Sequence, residues 1–77
     1  MDFEKLLIDI VSAIVDTPEQ VKVVKNESGN CIELTLSVAP DEMGMVIGRG
    51  GKIAKAIRTV IKAASASTGK KVTVDIR

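Results

Sequence analysis

The apolar positions of this chain change period three times. From Phe3 they fall at Leu6, Leu7, Ile10 and Ile14, the three-to-four spacing of one helical face, and Val11 and Val15 widen that face. Asp2 can cap the N-terminus of this helix. Asp16-Thr17-Pro18 ends it, because proline disfavours helix at the residue before it. The period then shortens to two. Val21 and Val23 lead into the turn-forming cluster Asn26-Glu27-Ser28-Gly29-Asn30, after which Ile32, Leu34, Leu36 and Val38 alternate with Cys31, Glu33, Thr35 and Ser37. This pattern predicts an antiparallel hairpin with one buried and one wet face.

Ala39-Pro40-Asp41 breaks the second strand, and Asp41 and Glu42 suit a helix N-terminus. Met43 to Ile47 can form a helix of under two turns. Gly48-Arg49-Gly50-Gly51 then interrupts, since each glycine inside a helix costs about 1 kcal/mol relative to alanine. A longer helix is predicted from about Lys52 to Thr68, with Ile53, Ile57, Val60 and Ala64 as its core stripe and Gly69 as its stop. Val72, Val74 and Ile76, alternating with Thr73 and Asp75, make a last strand. A strand–helix–helix–strand connection fits a parallel crossover. The expected fold is therefore α+β, in the order α-β-β-α-α-β. It has a three-stranded mixed sheet with three helices on one face, as a single domain over residues 1–77.

Composition narrows the chemistry. At 77 residues and 45% hydrophobic content the chain is a small globular domain rather than a disordered one. No apolar run approaches the roughly 18 residues of a membrane span. Met1 is followed by Asp2, Glu4 and Asp9, so no secretory signal is expected and the cytoplasm is the expected compartment. Cys31 is the single cysteine and is expected to be a buried or half-buried structural thiol. With no histidine and no second cysteine, most nucleophilic and acid–base constellations cannot be assembled. No enzyme activity, metal site or cofactor is expected. Phe3 is the single aromatic, which argues against modules that stack bases on sheet aromatics.

The net charge of +1 hides an asymmetry. Residues 1–47 carry nine acids against three lysines, net −6; residues 48–77 carry eight bases against Asp75 alone, net +7. A basic final third suits a local polyanion site. The bases begin where the glycines are. Glycine lets main-chain N–H groups approach a phosphate with no Cβ in the way. The helix that follows points its unpaired N–H groups and positive dipole end the same way. Arg49 and Lys52 add charge beside the loop, and Lys55 lies one turn along. A Walker phosphate loop or a dinucleotide loop would need glycine spacings that are absent.

The stretch Val46-Ile47-Gly48-Arg49-Gly50-Gly51-Lys52-Ile53, with Ile57 following, resembles the KH signature, an apolar pair and then G-x-x-G opening an apolar helix. The element order resembles the type II, prokaryotic KH arrangement. Asp41 to Gly44 and the run from Ala56 to Ala64 resemble the small bacterial KH proteins of the KhpA family. The resemblance covers essentially the whole chain. It implies a non-catalytic module that grips single-stranded RNA, a few nucleotides at a time. Gly48, Arg49, Gly50, Gly51, Lys52 and Lys55 would touch the backbone, and bases would lie in an apolar groove beside Val46 and Ile53. Position 50 is Gly where many relatives carry a polar or charged residue, which removes one side-chain contact. The resemblance also implies a role as a post-transcriptional regulator or RNA chaperone, with self-association or pairing with KhpB, a larger KH-containing protein.

For self-association the long helix offers one face. Ile61 lies roughly 70° off the middle of the expected core stripe, among Ala54, Arg58 and Ser65. A large apolar residue among small ones suits helix-to-helix contact, so Ala54, Arg58, Ile61 and Ser65 are the expected dimer surface. The alternative function is a protein-interaction adaptor working through this helix, its KH loop vestigial.

Overall fold

The computed structural model describes residues 2–77. Helix α1 (Phe3–Ser12) is capped by Asp2, whose carboxylate accepts from the Lys5 N–H at 3.0 Å. Strands β1 (Lys22–Ser28) and β2 (Cys31–Ser37) form an antiparallel hairpin closed by Gly29-Asn30. Asn26, Glu27 and Ser28, expected in the turn, instead extend β1 by pairing with Glu33, Ile32 and Cys31. A 3-10 turn (Pro40–Glu42) leads into the short helix α2 (Met43–Ile47). After the glycine-rich loop come helix α3 (Lys52–Ser65), a 3-10 turn (Ala66–Thr68) and strand β3 (Lys71–Ile76). β3 joins the far side of β2 in parallel, from Cys31 opposite Lys71 to Leu36 opposite Ile76. The sheet order is β1-β2-β3. The predicted element order and mixed sheet are both present.

Alternation decides which sheet face is dry. Ile32, Leu34 and Leu36 of β2 and Val72 and Val74 of β3 point inward, under the helices. The intervening residues face solvent, Cys31 among them. The expectation of a buried or half-buried thiol therefore fails for a simple reason: Cys31 shares its face with Glu33, not with Ile32. From above, α1 contributes Phe3, Leu7 and Val11, continued by Val15, while Leu6, Ile10 and Ile14 pack only partly at the margin. The inward line of α1 thus runs through the side of the expected face that Val11 and Val15 widen, not through Leu6, Ile10 and Ile14.

The same shift on α3 has larger consequences. Its buried residues are Ala54, Ile57, Ile61 and Ser65; Ile53 and Val60 are 38% and 48% exposed. Ile57 fits both stripes, so apolar spacing alone could not choose between them. The loop chooses, because it seats Ile53 beside Gly48 and so sets the rotation of the helix. Ile61, wholly buried, is a keystone of the core. The expected dimer surface of Ala54, Ile61 and Ser65 is consumed by the fold, and Arg58 reaches across to β3.

One buried polar contact fixes where α2 sits. Glu42, 6% exposed, accepts from the Thr17 N–H at 3.0 Å and the Thr17 hydroxyl at 2.8 Å. Its carboxylate does not cap α2, as the sequence suggested, but ties the start of α2 to the segment after α1. Val46 anchors the same short helix in the core. A five-residue helix has little stability of its own, so these two attachments hold the element that delivers the loop.

Candidate nucleic-acid interface

The loop Gly48–Gly51 is one tight turn between α2 and α3. The Gly48 N–H closes α2 on the Gly44 carbonyl at 2.9 Å, and the Gly51 N–H returns to the Gly48 carbonyl at 3.2 Å. Gly48, Gly50 and Gly51 all have positive φ, at 74°, 64° and 79°. The reasons differ. A Cβ on Gly48 would lie 2.9 Å from both the Cβ and the N of Ile53, so this glycine is required by close packing as well as by conformation. Gly50 and Gly51 have nothing within 4 Å of a hypothetical Cβ. Positive φ, not crowding, is what favours glycine at these two positions.

No side chain caps the N-terminus of α3, which begins directly after this open backbone. The Lys52 N–H is taken by the Arg49 carbonyl, so the helix dipole and the N–H groups that follow Lys52 are what α3 offers an anion. Arg49, Lys52 and Lys55 are exposed beside it. Of the predicted contact residues, the structure brings Gly48, Arg49, Gly50, Gly51, Lys52 and Lys55 to one end of the molecule. Ile53 is half-exposed at the loop's base. Val46 is the exception. It is fully buried, because α2 turns it toward the sheet, and it cannot line a groove.

Sequence reasoning missed a second basic surface, between α3 and β3. Arg58 and Lys62 lie on the flank of α3 that borders β3, spaced helically after Lys55. Between α3 and β3 lie two adjoining hollows. One, of about 310 Å³, is lined by Arg58, Lys62, Val72, Thr73 and Val74. The next, of about 520 Å³, runs past Lys62 and Ser65 to Lys70 and Lys71. No acidic residue lines either. The basic spacing 55, 58, 62 was visible in the chain; that the free edge of β3 lies beside it was not. The Lys71 N–H donates to the Asn30 carbonyl at 2.8 Å and the Arg77 N–H to the Leu36 carbonyl of β2 at 2.9 Å, so the main-chain groups of the alternate residues face outward. Val74 confirms this, since its carbonyl accepts from Arg58 Nε at 3.1 Å.

The Lys70 ammonium, hydrogen-bonded to Glu27 at 2.8 Å, holds the Glu27 carboxyl below the usual carboxylate range, and its charge adds to the effect. Among the described residues no group of three acidic or cysteine side chains could hold a metal ion, and no helix is long and apolar enough to cross a membrane.

Comparison with known proteins decides the family. The model of the KhpA/KhpB KH domain matches residues 4–76. The chain belongs to the KhpA/KhpB KH-domain family. RNA-binding protein KhpA of Clostridium acetobutylicum is 49% identical over 73 residues, covering 95% of this chain and 97% of that protein. RNA-binding protein KhpA of Bacillus subtilis is 42% identical over 73 residues, covering 95% and 90%. Among solved structures, Aquifex aeolicus Era bound to GDP·AlF4− superposes with a TM-score of 0.69 at 16% identity, over 96% of this chain and 29% of Era. Era in complex with MgGDPNP and nucleotides 1506–1542 of 16S ribosomal RNA gives 0.70 at 16% identity, over 96% and 28%. The Era likeness establishes the KH fold independently of close sequence similarity, and it extends over less than a third of the Era chain.

Proposed function

We propose that this KH protein is a non-catalytic RNA-binding protein that grips the backbone of single-stranded RNA through Gly48–Gly51. The observation that carries the reading is the loop itself, with open positive-φ backbone at Gly50 and Gly51 set directly against the uncapped start of α3. Phosphate sits there, flanked by Arg49, Lys52 and Lys55, while the strand continues along the basic groove between α3 and β3. The RNA-binding relatives support the polymer class. Most of these contacts address the backbone, so affinity is modest and weakly dependent on sequence.

A modest grip suits a cytoplasmic post-transcriptional regulator or RNA chaperone that acts as a dimer or with a KhpB-like KH-containing partner. A second domain on the same RNA raises apparent affinity without any new contact within this one. The surface free for such pairing on α3 is the outer flank bearing Ile53 and Val60, not the buried Ile61 face. That flank also supports the second reading, a protein-interaction adaptor that makes no use of its loop.

Titrating a short single-stranded RNA at several salt concentrations tests the leading reading. Affinity should fall steeply with salt, log K falling linearly with log salt at a slope of about −0.7 per phosphate contact. Undetectable RNA binding at low salt, with the chain folded, would leave the adaptor.

A further inference from the structure

Glu42 is too buried to touch RNA and does not cap the helix it precedes. Its two carboxylate oxygens are both spent on one residue: Oε1 accepts from the Thr17 N–H at 3.0 Å and Oε2 from the Thr17 hydroxyl at 2.8 Å. Among the described residues no cation pairs with it. Taking a carboxylate out of water to meet neutral donors adds little net stability. Two bonds to both oxygens do fix its orientation, and with it the start of α2. That position matters because α2 is only five residues long, about 8 Å at the helical rise per residue, and the loop begins where it ends. Val46 is the one buried residue within α2. A single anchor lets a short helix pivot, whereas a second anchor at its start sets its axis. At the other end Gly48 packs so closely on Ile53 that a Cβ would lie 2.9 Å from the Ile53 Cβ and N. The loop therefore keeps this shape only while α2 keeps its place.

We propose that Glu42 is a positioning residue for RNA binding: held by Thr17, it locks α2 so that the Gly48–Gly51 backbone meets phosphate in one preformed arrangement. Without the link α2 pivots on Val46, and the loop spends part of its time in arrangements that do not fit a phosphate. Apparent affinity then falls by the fraction of molecules that remain competent. Thr17, which stands at the head of the Pro18–Gln20 turn, becomes part of the RNA-binding machinery in the same way. This proposal rests on the RNA-binding reading of the loop and adds to it the residues that hold the loop ready.

The test uses the full chain and a short labelled single-stranded RNA of random sequence. Affinity is measured by fluorescence anisotropy at a temperature where circular dichroism shows the variants folded. Glu42→Ala should bind about tenfold more weakly than wild type. Thr17→Val, which keeps the main-chain bond, should fall between the two. Thr17→Ser, which keeps both donors, should bind as wild type does. Phe3→Leu is the control, because Phe3 is buried beside Thr68, at the other end of α3 from the loop; it should lose stability without losing affinity. Amide hydrogen exchange separates a loosened loop from a weakened fold. In Glu42→Ala and Thr17→Val the Gly48 and Gly51 N–H groups should speed up by a larger factor than those of the central strand β2. Unchanged affinity in Glu42→Ala would overturn the proposal. So would an equal loss in Phe3→Leu, or an exchange rise no larger at the loop than in β2. Should Glu42→Ala not fold, the Thr17 pair decides, and equal affinities for Thr17→Val and Thr17→Ser would overturn it. Failure of the wild-type chain to bind the RNA would overturn the RNA-binding reading itself, and the proposal with it.

Discussion

At the scale of single residues, three loop glycines share a conformation but not a role. Gly48 is a packing glycine, and Gly50 is an access glycine. Gly48→Ala brings a Cβ into Ile53 while also forcing alanine to positive φ, and should cost about 3 kcal/mol in denaturant unfolding. Gly50→Ala meets open space and should cost about 1 kcal/mol. Similar losses at the two positions would remove the distinction. These glycines, with Arg49, Lys52 and Lys55, were legible in the sequence because they are contiguous and their chemistry is local. Val46 and Ile47 were not separable in the same way. They are adjacent β-branched apolar residues, and only the docking of α2 buries Val46 completely and leaves Ile47 40% exposed.

At the scale of elements, the arrangement of α2 and α3 places the loop. Element types and order could be read from apolar period alone, but the rotation of α3 could not, since Ile57 serves either stripe. The structure predicts opposite outcomes for its two apolar flanks. Ile61→Ala should cost about 3 kcal/mol, while Val60→Ala should cost under about 1 kcal/mol, both by equilibrium unfolding. A charged residue at Ile61 should therefore unfold the chain rather than merely separate a dimer. Glu42 and Thr17 were also beyond sequence reading, because a bond across 25 residues leaves no local periodicity. Glu42→Ala removes the acceptor of two Thr17 donors and should cost about 2 kcal/mol. Thr17→Val keeps the main-chain bond and should cost about 1 kcal/mol. Equal stability of Glu42→Ala and wild type would mean that α2 is held by Val46 alone.

At the scale of the whole molecule, the fold sorts charge that the sequence shows only as two halves. Arg58 and Lys62 of α3 and Lys70 and Lys71 beside β3 line adjoining hollows, and the Glu27–Lys70 pair joins β1 to the segment preceding β3. Glu27 has a lowered carboxyl pKa in the folded chain, so its stabilising effect is present above the unfolded value and is lost as pH falls through the folded one. Glu27→Gln should therefore lower Tm slightly at pH 7, and the difference from wild type should shrink as acid takes the Glu27 carboxyl through its lowered pKa. A difference that persists in acid would point to packing rather than charge. In the proposed function the loop, not the outer flank of α3, carries RNA binding. Gly50 lies at φ 64° and ψ 19°, a region aspartate tolerates better than most residues, so Arg49→Asp with Gly50→Asp should preserve the fold. The decisive measurement is single-stranded RNA affinity of this double variant, with circular dichroism and chain association followed in parallel. A folded variant that associates as wild type does but has lost RNA binding by at least about a hundredfold is the predicted result. A folded variant that binds RNA as wild type does would contradict the account.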